Sequence, residues 1–186
     1  DVRETLTFTI DPEDAKDFDD AISFKEIEKE IYEIGIHIAD VGHYVEENSV
    51  LDKEAFNRAT SIYLVDRVVP MLPEILSNKV CSLRPQEEKY TFSAIFKTNN
   101  RGEILEEWFG KTVIKSDMRF SYAEAQEIIE TKKGNISKEI ALNNKSYEVA
   151  KEMVNAIVIL NEIASTIREE RKKQGSINFN KKEIKF

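Results

Sequence analysis

The sequence predicts an α+β domain, a mixed or antiparallel sheet packed with helices. Three features lead there. Runs that alternate apolar and polar residues, the pattern of half-buried strands, occupy much of residues 5–39 and 90–115. Two helix-opening signatures follow such runs, Ser49 with Asp52 and Ser121 with Glu124. Toward the end, apolar residues recur at helical spacing.

In chain order, Thr5-Leu6-Thr7-Phe8-Thr9-Ile10 reads as a strand, and Pro12, which has no N–H to give a sheet, ends it. Ala21 to Phe24 and Ile31 to Ala39 read as two strands joined by a charged turn. In the second, Ile34, Ile36 and Ile38 alternate with Gly35 and His37. His37 therefore faces away from the isoleucines and is read as an ordinary strand residue rather than a metal ligand. Ser49 opens a short helix to about Thr60, and Pro70 and Pro73 punctuate an irregular stretch from Val68 to Leu83. Tyr90 to Thr98 and Ile104 to Lys115 pair around the turn Asn99-Asn100-Arg101-Gly102. Ser121 and Glu124 form a capping box for a helix to about Glu130, and Lys132 to Asn135 reads as a polar linker. A long helix is expected from about Lys145 to Gln174, its stripe formed by Val149, Met153, Ala156, Ile157, Leu160, Ile163, Ala164 and Ile167. Gly175 stops it, and its charged end, Arg168 to Lys173, suits solvent and the helix C-terminus.

The 186 residues suffice for one domain with a real core, and 41% hydrophobic with 33% charged residues suits a soluble globular chain. No apolar run is long enough to span a bilayer, and the start has no signal-peptide pattern. The single cysteine, Cys81, excludes an internal disulfide, and with Val80 and Leu83 nearby it reads as a buried thiol. A reducing cytoplasm is the expected compartment. The net charge of −8 argues against a general nucleic-acid-binding surface, though not against a nuclease that takes RNA into a local groove. Residue 1 precedes a strand closely and residue 186 falls within a strand-like pattern, so a piece of a longer protein is expected.

The chemistry concentrates where the first strand breaks. Asp11, Asp17, Asp19 and Asp20 fall within ten residues. Carboxylates held that close raise one another's pKa unless a cation neutralises them. A hard divalent ion does so, and Mg²⁺ takes one or two carboxylates and leaves room for water and substrate phosphate. Glu13 and Asp14 read as solvated surface, whereas Phe18, Ala21 and Ile22 suggest that some of the acids point inward. The spacing fails the calcium-loop pattern, because Lys16 and Ile22 stand where Gly and Glu are needed.

These residues resemble a known family. Phe8-Thr9-Ile10-Asp11 through Asp17-Phe18-Asp19-Asp20-Ala21 is similar to the opening motif of the ribonuclease II/ribonuclease R catalytic (RNB) domain. So are Ile36-His37-Ile38-Ala39-Asp40-Val41 with His43-Tyr44-Val45, Arg58-Ala59-Thr60-Ser61-Ile62-Tyr63-Leu64, Val69-Pro70-Met71-Leu72-Pro73, Cys81-Ser82-Leu83 and Gly175-Ser176-Ile177-Asn178-Phe179. The pattern looks closer to ribonuclease R. The resemblance implies that residues 1–186 are the N-terminal part of such a domain, without the flanking OB-type RNA-binding domains. It implies hydrolysis of single-stranded RNA from the 3′ end to nucleoside 5′-monophosphates. It makes Asp11, Asp17, Asp19 and Asp20 the catalytic, Mg²⁺-holding acids, with Asp19 indispensable to cleavage and Asp17 the weakest candidate as a direct ligand. Tyr63 and Phe179 would stack on bases near the 3′ end; without the resemblance both would read as core. The family's later arginine-rich motif has no counterpart in these residues, so the chain alone is expected to have little or no activity. Asn178 and Asn180 also depart from the family's usual residues beside Phe179.

Two other readings stand beside this one. A metal-dependent phosphohydrolase of small substrates would need the acids but neither Tyr63 nor Phe179. A non-catalytic RNA-binding relative would have no physical reason to keep four mutually repelling carboxylates.

Overall fold

A computed structural model describes residues 1–177 of the chain. The elements run β1 (Thr7–Asp11), β2 (Asp20–Glu28), β3 (Ile31–Ala39), α1 (Val50–Arg58), β4 (Ile62–Tyr63), β5 (Val68–Val69), β6 (Glu88–Asn99), β7 (Ile104–Lys115), β8 (Met118–Ser121), α2 (Tyr122–Thr131), β9 (Asn135–Ile136), β10 (Tyr147–Glu148) and α3 (Lys151–Lys173). Six strands form one mixed sheet in the order β7-β6-β3-β2-β1-β8. Every pairing in it is antiparallel except β1 with β8, which is parallel and sets Asp11 opposite Ser121.

The two faces of this sheet carry different chemistry. Phe8, Phe24 and Tyr32 lie on one face and form the main core with Phe120 and the buried stripe of α3, Met153, Ala156, Ile157 and Ile163. Phe8 meets Phe120 edge-on with ring centres 5.9 Å apart, a favoured aromatic geometry. Farther along the same face, Ile36, Ile38, Phe92 and Phe109 remain exposed.

The opposite face is lined with hydroxyls. Thr7, Thr9, Ser23, Thr91, Ser93 and Thr112 are all buried there, and so is His37. His37 Nδ1 lies 2.6 Å from Ser93 Oγ and Nε2 lies 2.8 Å from Ser23 Oγ. Thr112 Oγ1 extends the chain, 2.6 Å from both Ser93 Oγ and Thr91 Oγ1. His37 and the isoleucines do take opposite faces, but the histidine is the inward residue. Gly35 makes room for it, since a Cβ there would sit 2.6 Å from His37 Nε2.

Several boundaries differ from expectation. β1 starts at Thr7 and continues through Asp11, because its pairing with β8 carries it that far. The stretch before Leu83 holds the short β4–β5 hairpin and a π-helical turn over Leu76–Val80. α3 starts at Lys151 rather than near Lys145. Tyr147 and Glu148 instead pair with Ile136 and Asn135, at the end of the expected linker. The competitor is Glu124. Besides closing the capping box with Ser121, its buried carboxylate accepts hydrogen bonds from Leu142 N (3.0 Å) and Tyr147 Oη (2.9 Å). Val149 is buried as the stripe suggests, but ahead of the helix, where its N–H donates to Gly134 O at 2.8 Å. At the β6–β7 turn Gly102 has φ +77°, a left-handed value that glycine adopts freely. Among the described residues no helix is long and apolar enough to cross a membrane.

Burial pushes the His37 pKa down to about 4, against 6.5 for a free imidazole. The unfolded chain therefore binds the proton first as pH falls. The stability this neutral histidine confers is complete above pH 6.5 and is lost toward pH 4, by roughly 3 kcal/mol. Urea unfolding across that window should show this loss in the native chain and not in His37→Gln, which removes the titration.

Candidate active site

The acid segment spans the gap between the end of β1 and the start of β2. Asp11 is the last residue of β1, where β8 flanks it, and it is buried. Its Oδ2 has no hydrogen-bond partner. Desolvation raises the Asp11 pKa, and the negative charges of Asp20 and Asp17 push the same way. The Arg119 guanidinium opposes the shift, while the Thr9 hydroxyl, two residues before Asp11 on the same strand, has no hydrogen-bond partner.

Asp19 and Asp20 arrive from the other side. Ala39 N donates to Asp19 O at 3.0 Å, and Asp20 opens β2 opposite Ile38. The Asp19 pKa is raised by desolvation and then by Asp17, Asp20 and Asp11. Its side chain keeps contact with solvent, so the like charges are the firmer cause.

Between these ends the loop is fastened from three directions. Phe18 is buried, its N–H donates to Ser82 Oγ at 3.0 Å and its carbonyl accepts from Leu83 N at 2.8 Å. Ser82 Oγ in turn donates to Lys16 O at 3.1 Å. Arg119, opposite Thr9 on β8, reaches back and donates from Nη2 to Pro12 O (2.7 Å) and Glu13 O (2.9 Å). Its guanidinium carbon lies 4.7 Å from the centre of the Phe18 ring, close enough for a cation–π contact.

Over this loop opens a cavity of about 840 Å³ walled by Asp11, Asp17, Asp19, Tyr63 and the two cations Lys16 and Arg67. Asp20 lies beside it, outside its wall. Tyr63, on the β4–β5 hairpin, is 69% exposed, so its ring face is open to a ligand. Its hydroxyl donates to Asp17 Oδ2 at a long 3.5 Å, and the Asp17 charge raises the phenol's pKa ahead of a smaller desolvation effect.

The structure therefore brings Asp11, Asp17, Asp19 and Tyr63 to one cavity with Asp20 adjacent. Among the described residues, no three His, Cys, Asp or Glu side chains stand ready to close around an ion. Phe179 lies outside the described residues. Two residues that build the site were given no role from the sequence. Ser82 lies in the Cys81-Ser82-Leu83 motif that carries the resemblance, but nothing local shows that its hydroxyl reaches Lys16 and Phe18. Arg119 carried no signal, since nothing local in Met118-Arg119-Phe120 shows that it reaches residues 12 and 13.

The family model described as "RNB domain" matches residues 1–186, and the chain belongs to that family. It is 43% identical over its whole length to DIS3-like exonuclease 2 of Schizosaccharomyces pombe, and 41% identical to Ribonuclease R 1 of Lactococcus lactis. It is also 35% identical, over 95% of its length, to a relative from Arabidopsis thaliana named "Inactive exonuclease DIS3L2". A solved structure of Mycoplasma genitalium RNase R in complex with double-stranded RNA superposes with a TM-score of 0.82 at 32% identity, covering 96% of this chain and 29% of that one. The chain spans only 20% and 21% of the first two relatives.

Ser82 offers a direct check on how the loop is held. Ser82→Ala strips a buried partner from Phe18 N–H and Lys16 O, and should lower the unfolding free energy by about 1–3 kcal/mol in a urea titration.

Proposed function

We propose that this chain carries the acid-cluster part of the cleavage centre of a Mg²⁺-dependent, hydrolytic 3′–5′ exoribonuclease that releases nucleoside 5′-monophosphates. One observation carries the reading. A buried, unpartnered carboxylate oxygen of Asp11 stands with Asp17, Asp19 and an exposed tyrosine ring around one open cavity. An orphaned carboxylate oxygen amid like charges is costly, and a hard cation relieves it. The donors are all carboxylate oxygens, which suit Mg²⁺ rather than a thiophilic metal.

In this reading Asp11, Asp17, Asp19 and Asp20 would hold the ion, with Asp17, which accepts from the Tyr63 hydroxyl, the weakest candidate as a direct ligand. A divalent cation bound there supplies Lewis acidity toward a phosphodiester and lowers the pKa of water. The chain's own residues do the rest. Tyr63 presents a face on which any base can stack, a contact worth roughly 1–3 kcal/mol per base and indifferent to sequence. Phe179 is proposed as its stacking partner. Lys16 and Arg67 put positive charge on the same wall, where a phosphate backbone would run. The partner is thus the single-stranded 3′ end of an RNA. Cys81 is free and buried, in keeping with a reducing compartment, and a cytoplasmic location is proposed on that ground.

We take the active parent to be longer than these residues, with the further cations around the scissile phosphate supplied from outside them. The isolated 186-residue chain should then release little mononucleotide. The inactive relative keeps a non-catalytic RNA-binding reading in play. Asp19→Asn in the longer polypeptide separates the two, measured with a 5′-labelled oligoribonucleotide. The proposal expects stepwise 3′ shortening to fall by about a thousandfold or more while RNA binding is retained. A non-catalytic protein shows no shortening to lose. Tyr63→Ala, in contrast, should weaken single-stranded RNA binding about 5- to 150-fold. A phosphohydrolase of small substrates would not respond to that change.

A further inference from the structure

Arg119 does more than its place on β8 requires. It makes no ion pair with any described residue, although it lies close enough to lower the Asp11 pKa. Its Nε is buried without a hydrogen-bond partner, a costly arrangement for a guanidinium. What it does hold is backbone. Nη2 grips both carbonyls immediately after Asp11, those of Pro12 and Glu13, while the guanidinium lies against the buried Phe18 ring. Pro12 O also accepts the turn hydrogen bond from Ala15 N at 3.1 Å. One side chain thus ties the first turn of the acid loop to the ring that anchors its second half.

We propose that Arg119 is a positioning residue for the acid cluster, holding the Pro12–Phe18 loop so that Asp11, Asp17 and Asp19 share one cavity in readiness for a divalent cation. This rests on the metal-dependent reading above. Its counterpart is Ser82, which fastens only the far end of the loop, at Lys16 and Phe18. The guanidinium is suited to the task because a flat fork can donate twice and still lie against a ring, whereas an ammonium on a flexible stem cannot do both.

The test compares the native chain with Arg119→Ala and Arg119→Lys, using MgCl₂ as the probe in calorimetric titrations well below the melting temperatures recorded in EDTA. The alanine variant should bind Mg²⁺ at least fivefold more weakly, and the lysine variant should recover only part of that loss. Amide exchange by NMR is read in parallel without metal. Exchange at Ala15 and Phe18 should speed up in Arg119→Ala while Ile22 and Ile36 in the sheet stay as protected as before. Unchanged exchange at Ala15 and Phe18 overturns the proposal whether or not metal binds. Equal Mg²⁺ affinity in the native and alanine chains overturns it as well. A native chain that takes up no Mg²⁺ instead sinks the metal-dependent reading, and the exchange data still decide whether Arg119 holds the loop.

Discussion

Like charges do not gather unless something holds them, and in this chain the holding is done by backbone. Asp11 is fixed by the β1–β8 ladder, and Asp19 and Asp20 by the edge of β2 against β3. The segment between could swing away from its own repulsion. It is kept in place because Phe18 is buried and its N–H and carbonyl are both taken by Ser82 and Leu83. Burial first, and then the repulsion that this fastening withstands, raise the Asp11 and Asp19 pKa values. The cavity, the position of Tyr63 and the proposed chemistry all depend on that loop staying closed.

The sheet beneath supports the loop with a polar interior. Its hydroxyl face is rich in hydrogen bonds, and His37 sits at the centre of it with both ring nitrogens partnered. A satisfied buried network of this kind fixes register, since a one-residue slip would strand every hydroxyl against apolar neighbours. Thr9, with a hydroxyl that finds no partner, is where this face runs into the acid site. The apolar face, packed by α2 and α3, supplies the bulk of the core.

Much of this architecture is legible in local sequence. The capping box at Ser121 and Glu124 fixes the start of α2, and the alternation of residues 31–39 and 90–98 fixes two central strands. The acid cluster, too, stands out in the sequence because the charges are adjacent along the chain. Three things were hidden, each because it depends on a partner distant in sequence. Alternation shows that His37 opposes the isoleucines but not which side faces inward, and Ser23 and Ser93 decide that. Helical spacing runs back through Val149, yet Glu124 draws Tyr147 into an extended segment and delays α3. The grip of Arg119 on Pro12 and Glu13 spans more than a hundred residues and leaves no local trace.

The loop, the cavity and the proposed chemistry converge on whether these carboxylates form a cation site. The most direct measurement is the titration of the aspartate side-chain carboxyl carbons by NMR, with and without excess Mg²⁺. Without the ion, Asp11 and Asp19 should titrate above 3.8, the ordinary aspartate value. With it, both should fall below that value, because a bound cation favours the ionised form. Titration curves for Asp11 and Asp19 that Mg²⁺ leaves unmoved would contradict the account.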